Sequence, residues 1–168
     1  MSKGKIAGSV IGVVLVVGIL GWMFTAPYLS NQGLGRTPGV IIGGTITPAL
    51  DDFSTLNDTV RGPLKFKISG FPPFVNYLSW VGMPDGIITA TRPDNGYWAR
   101  RVRGGDNDGL LRLGDQTFEM TATEIHGDER IAMMRLWAGK SGRGLDEPLY
   151  EGSEPLRDWK VFFWTPRS

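Results

Sequence analysis

The chain has 168 residues and a formal charge of +1; with Lys3 and Lys5 set apart beside the apolar N-terminal run, 16 basic side chains face 17 acidic ones. That balance gives no bulk attraction to nucleic acid. The absence of cysteine excludes disulfides, thiolate catalysis, zinc ribbons and iron–sulfur clusters, and the single histidine, His126, argues against a His-based triad or metal site.

Residues 6–28 read IAGSVIGVVLVVGILGWMFTAPY without a charge, and an apolar helix of about 20 residues spans a hydrocarbon core. The run is longer than the apolar core of a signal peptide, and its exit, Phe24-Thr25-Ala26-Pro27, lacks the small-x-small cleavage pattern. Residues 1–28 are therefore read as an uncleaved single-pass anchor in a lipid bilayer. Trp22, Phe24 and Tyr28 suit the far headgroup level, and Lys3 and Lys5 mark the near end. By the positive-inside rule the N-terminus is cytoplasmic and the C-terminal domain lies on the outer, periplasmic side. Gly8 and Gly12 form a GxxxG pair that lets another helix approach. Residues 29–38, with Gly33, Gly35 and Pro38, have no periodicity and read as a tether.

Residues 39–168 are read as one domain, rich in glycine and proline and so suited to short strands and turns. Strands are expected at 40–46, 64–68, 86–91, 110–113, 116–125 and 159–164. The strongest local signal is Leu110-Leu-Arg-Leu-Gly114-Asp115-Gln-Thr-Phe-Glu-Met, two alternating runs joined by a two-residue Gly-Asp turn. In its second arm Phe118, Met120 and Ala122 share the buried face and Thr117, Glu119, Thr121 and Thr123 the other. A short helix is expected at 95–102, with Tyr97, Trp98 and Arg101 on one face. A longer one is expected from a cap at Asp128 to Gly139, with Ile131, Met134, Arg135 and Ala138 at helical spacing. Residues 140–156 read as a long surface loop.

Three motifs carry little. Gly139-Lys140-Ser141 resembles the end of a phosphate-binding loop, but Met134 stands where the pattern needs glycine. His126-Gly127-Asp128 is a strand-to-helix turn. Asn57-Asp58-Thr59 is a formal glycosylation sequon whose use depends on a eukaryotic secretory context.

Residues 89–103 are richer, because Arg92, Arg100, Arg101 and Arg103 gather with Tyr97 and Trp98 where a strand gives way to a helix. Guanidinium forks suit phosphate, and flat rings can cover a planar ligand. The opposing reading is that Trp98 packs into the core while the arginines pair with Asp94, Asp106 and Asp108 on a solvated face. From the residues alone the second reading is the stronger, since surface charge clusters are common and usually inert.

The order of several motifs resembles the split β-barrel superfamily of flavin-binding proteins, and within it the deazaflavin-dependent nitroreductase family. These are Pro38-Gly39-x-x-x-Gly43-Gly44, Pro84-Asp85-Gly86, Gly96-x-Trp98-x-x-Arg101-Val102-Arg103, Leu111-Arg-Leu-Gly114 with Ala122-Thr-Glu-Ile125, and Arg157-Asp-Trp-Lys-Val-Phe-Phe163. The resemblance implies a mainly β (α+β) fold, a small split β-barrel with flanking helices, here preceded by one transmembrane α-helix. It also implies FMN or a deazaflavin as cofactor, which would carry hydride to nitro compounds or quinones. The implied cofactor-binding set is Thr89, Thr91, Arg92, Gly96, Trp98, Arg100, Arg101 and Arg103, with no catalytic side chain assigned. Arg101 stands where the family pattern has asparagine.

Two functions follow. One is a membrane-anchored oxidoreductase serving a quinone or nitro acceptor. The other is a cofactor-free accessory or assembly subunit of a membrane protein complex, with aromatics such as Trp80 exposed as a partner surface. A homodimer is compatible with either.

Overall fold

The computed structural model describes residues 3–29, 39–71, 73–93 and 96–167, with side chains of the first helix given over 8–21. That helix, α1, runs Lys3–Leu29, and its side chains over 8–21 are exposed. Those residues make a rod about 21 Å long. Among the described residues no helix is long and apolar enough to cross a membrane. The tether, and the side chains of Lys3, Lys5, Trp22, Phe24 and Tyr28, lie outside what is described.

The domain is a mainly β, α+β fold in which eight strands form one curled antiparallel half-barrel sheet. They are β1 Thr45–Ile46, β2 Leu64–Ile68, β3 Val75–Leu78, β4 Trp80–Met83, β5 Gly86–Thr91, β6 Asp108–Leu113, β7 Gln116–Ile125 and β8 Lys160–Pro166. Three helices accompany them: α2 Leu56–Thr59, α3 Tyr97–Arg103 and α4 Gly127–Lys140. The strand order is β3-β2-β6-β7-β8-β5-β4, with β1 laid parallel against β7.

The two halves of the sheet follow different side-chain rules. In β2 and β6 the sequences LKFKI and DGLLRL bury alternate residues, so one face meets the core and the other meets solvent. In β4, β5 and β8 both faces are covered. Trp80, Ile87, Phe162 and Trp164 join Phe66, Leu111, Phe118 and Met120 in the core held by the curl. Val81, Ile88, Ala90 and Val161, their neighbours in sequence, turn outward to Met134, Trp137 and Ala138 of α4 and to Leu156 and Trp159.

The expected hairpin forms as β6 and β7, with Leu113 opposite Gln116 and Gly114 at φ 60° in the left-handed region that glycine enters without strain. Phe118, Met120 and Ala122 are buried as their alternation requires. Thr117 on the other face is buried too, because β1 covers it and its hydroxyl donates to the Gly43 carbonyl at 2.8 Å.

Several expectations need correction. Only Thr45–Ile46 of the run 40–46 becomes strand; its preceding segment is instead held by Arg112, which donates to the Ile42 carbonyl at 3.1 Å. Strands β3 and β4 arise from residues 75–83, whose apolar stretch shows no clean alternation because Ser79 splits it where the burial pattern changes. The α4 cap is the backbone of His126 and not Asp128, which lies inside the first turn. Trp80 is 3% exposed and forms no partner surface: its indole N–H donates to the Gly62 carbonyl at 3.0 Å and its body fills the core. The short helix starts at Tyr97; Asn95 lies outside the described residues.

Candidate functional site

Strand β5 delivers the arginine segment to the rim of the half-barrel, and α3 folds back over the sheet. The anchor of that fold-back is Trp98, 6% exposed, edge-on to Phe66 at 5.2 Å and to Phe162 at 4.6 Å between ring centroids. Thr89 is fully buried, and its hydroxyl oxygen accepts the Trp164 indole N–H at 2.9 Å. Such a buried, charge-neutral pair satisfies both groups internally. Thr91 is half-buried beside Gly96, whose carbonyl accepts the Arg100 N–H at 3.2 Å and opens the helix.

The arginines fan outward. Arg92 reaches the loop after α4, where its Nε lies 3.2 Å from Glu154 and its guanidinium 5.9 Å from the Tyr150 ring centre. Arg101 turns to the strand β2 exit: it donates to the Ser69 carbonyl, to Asp106 at 3.1 Å and to the Tyr97 hydroxyl at 2.8 Å. Arg103 grips the end of β7 through a two-pronged pair with Glu124 at 2.5 and 2.6 Å. The hydrogen bond from Arg103 holds the Glu124 carboxyl below the usual carboxylate range, and the same bond raises the Arg103 guanidinium. Arg100 is exposed on the outer side of α3. Asp108, by contrast, accepts the Thr121 hydroxyl at 2.6 Å, and Asp94 lies outside the described residues.

The eight sequence-selected residues thus all lie within residues 89–103 but do not converge on one point. Thr89 and Trp98 face inward, while Arg92, Arg101 and Arg103 run to three carboxylates on three separate segments.

A concave site does exist elsewhere. Between the C-terminal end of α4 and the start of β2 lies a cleft of about 330 Å³ lined by Gly62, Trp80, Trp137, Lys140, Ser141 and Leu149 among others. Trp137 is fixed by its indole N–H, which donates to the Ser79 carbonyl at 3.1 Å. The Lys140 ammonium stands 3.5 Å over the Trp80 ring and donates to Asn57 Oδ1 at 3.1 Å. Asn57 is itself clamped: its amide nitrogen donates to the Gly82 carbonyl at 2.8 Å, and its oxygen accepts the Gly82 N–H at 2.9 Å. Gly82 is required there because a Cβ would run into the Phe53 carbonyl. Partial burial is the first cause, and the Arg61 charge the second, that lowers the Lys140 ammonium below the ordinary lysine range. The cleft combines two indoles with a partly desolvated ammonium, a combination suited to a flat ring bearing a negative charge.

Sequence reasoning passed over this place. Lys140 and Ser141 drew notice only for a phosphate loop they do not form, and Trp137 shares the α4 stripe with Met134 and Ala138, so it looked like ordinary core.

Among the described residues no three acidic or histidine side chains gather as a metal-binding group. No family model matches the chain, and no curated protein matches it.

Proposed function

We propose that this chain is a membrane-anchored accessory or assembly subunit that uses a split-barrel domain for binding. The anchor reading rests on the uncharged run 6–28, which at 1.5 Å per residue makes a helix of roughly 35 Å against a hydrocarbon core of about 30 Å. Lys3 and Lys5 then put the N-terminus in the cytoplasm and residues 39–168 outside.

The observation that carries the accessory role is the divergence of Arg92, Arg101 and Arg103 onto Glu154, Asp106 and Glu124. A phosphate bound at this segment has to displace these ion pairs, worth about 1.5–3 kcal/mol for the least exposed, Arg103–Glu124, and about 0–1 kcal/mol for the exposed Arg92–Glu154. Gly8 and Gly12 form a small-xxx-small pair of the kind at which helices associate in a bilayer. The test is extraction of the full-length chain in mild detergent. Co-migration with a larger assembly and a colourless preparation are expected; a monodisperse monomer with bound chromophore overturns the reading.

The oxidoreductase reading stays as the alternative on one observation, the indole-walled cleft with Lys140. A membrane-anchored split barrel of the deazaflavin-dependent nitroreductase type would hold FMN or a deazaflavin there or along residues 89–103, the ring carrying hydride to a quinone or nitro acceptor. Titration with FMN, read by tryptophan fluorescence, separates the two: saturable quenching that Lys140→Gln weakens favours the enzyme, and none favours the accessory subunit.

A further inference from the structure

The loop joining β2 to β3 carries Phe71 at its tip, 89% exposed, more so than any other exposed large apolar side chain of the described residues. Beside it Phe74 lies 6.3 Å from the Tyr97 ring, and Tyr97 is itself 37% exposed. Arg101 donates to the Tyr97 hydroxyl at 2.8 Å and stands 5.6 Å from its ring centre, and exposed Arg100 follows on the same helix. The result is an aromatic tip braced from below by Arg101, at the end of β2 opposite the cleft.

This loop also adjoins the place where the chain enters the domain. The Gly39 carbonyl accepts the Val75 N–H at 2.8 Å, at the foot of the same loop, and Lys67 holds the next carbonyl, Val40, at 2.7 Å. Helix α1 ends at Leu29, and the covalent reach from there to Gly39 is at most about 35 Å. The foot of the loop is therefore kept within that distance of the end of the anchor.

We infer that Phe71, Phe74 and Tyr97, with exposed Arg100 on the same helix as Tyr97, form a second membrane contact, docking the domain onto the headgroup layer of the bilayer that holds its own anchor. The inference rests on the anchor reading of the proposed function. Rings of this kind partition to the interface, and an exposed guanidinium such as that of Arg100 meets lipid phosphate there. The occupant is a lipid surface because the patch sits at the tethered end of the domain, where the bilayer is the nearest surface the covalent chain guarantees.

The chain has no cysteine, so single probes can be placed without background. Full-length Phe71→Cys, Arg61→Cys and Ile11→Cys are each labelled with an environment-sensitive fluorophore and reconstituted in phosphatidylcholine–phosphatidylglycerol vesicles. Lipids spin-labelled near the headgroup or deep in the acyl chain serve as quenchers. Arg61 is exposed and precedes β2, at the end of that strand opposite Phe71. The expected result is headgroup-level quenching at position 71 at least about twofold stronger than at position 61, with deep quenching at position 11. Equal weak quenching at 71 and 61 with deep quenching at 11 overturns the docking and leaves the anchor intact. A blue-shifted but unquenched probe at 71 also overturns it, pointing to protein in place of lipid. No quenching at 11 and no flotation with vesicles removes the anchor and the inference together. Arg100→Glu, on an exposed position, is expected to reduce quenching at position 71 without changing the unfolding midpoint.

Discussion

The arginine segment and the Trp80–Trp137 cleft are opposites in how they announce themselves. The first concentrates four guanidinium groups and two large aromatics within a dozen residues, yet Arg92 and Arg103 each meet a carboxylate from elsewhere in the fold and Arg101 meets nearby Asp106. The second is assembled from β4, the start of β2 and the end of α4, with no two of its indoles close in sequence. Local density of charge marks a place where the fold has much to tie down, whereas an open concavity depends on which distant segments fail to meet. A cluster of arginines is thus a structural rivet unless acidic partners are out of reach.

Three substitutions break or sharpen that contrast. The largest effect is expected from Trp98→Ala, which removes the ring that pins α3 against Phe66 and Phe162 and costs about 3–5 kcal/mol in urea unfolding. A loss under about 1 kcal/mol means that α3 is not clamped and that its arginines are available for other work.

Glu124→Gln comes next, with a loss of about 1–3 kcal/mol, since the Glu124 side chain is 12% exposed and leaves Arg103 half-satisfied. The Glu124 pKa is lower folded than unfolded, so the unfolded chain binds more protons as pH falls. The increment is therefore present above the unfolded carboxylate pKa and disappears as pH drops through the folded value. In the variant this acid-side loss should be smaller; an unchanged slope between pH about 5 and 3 refutes the pairing.

Lys140→Gln, at the cleft, is expected to change stability by less than about 1 kcal/mol, because the lost contact with the Trp80 ring and the lost hydrogen bond to Asn57 are offset by relief from burying a charge. The sign with pH is the same as for Glu124, but the window is alkaline. The Lys140 pKa is lowered in the fold, so the unfolded state holds the extra proton and stability rises with pH through the lowered pKa up to the ordinary lysine value. Loss of that alkaline rise in the variant, followed by thermal unfolding, checks it.

Much of the sheet was legible because period-two alternation survives wherever one face is wet. Residues 64–68, 110–113 and 116–125 reveal themselves through Lys65, Lys67, Arg112 and Glu119 standing between buried neighbours. Strands β3 and β4 were not legible, since α4 and the loop before β8 cover the second face of β4 and erase the polar half of the pattern. The same cover buries Trp137 and brings Lys140 over Trp80, so the cleft shares the invisibility of the strand that floors it. At the arginine segment, Arg101 could be paired with nearby Asp106 from spacing alone, but Glu124 and Glu154 lie 21 and 62 residues from their partners and only closure of the sheet brings them together.

The Asn57 amide joined to both backbone groups of Gly82 has a practical consequence for anyone making this protein. Its nitrogen is the atom to which an oligosaccharide is attached at an Asn-x-Thr site, and Asn57-Asp58-Thr59 is such a site. A sugar placed there would take a hydrogen from the donor that meets the Gly82 carbonyl and stand where Lys140 now reaches across. The choice of host therefore bears on this latch: bacterial production leaves both amide hydrogens in place, while glycosylation would leave one hydrogen to hold the Gly82 carbonyl and add bulk at the rim of the cleft.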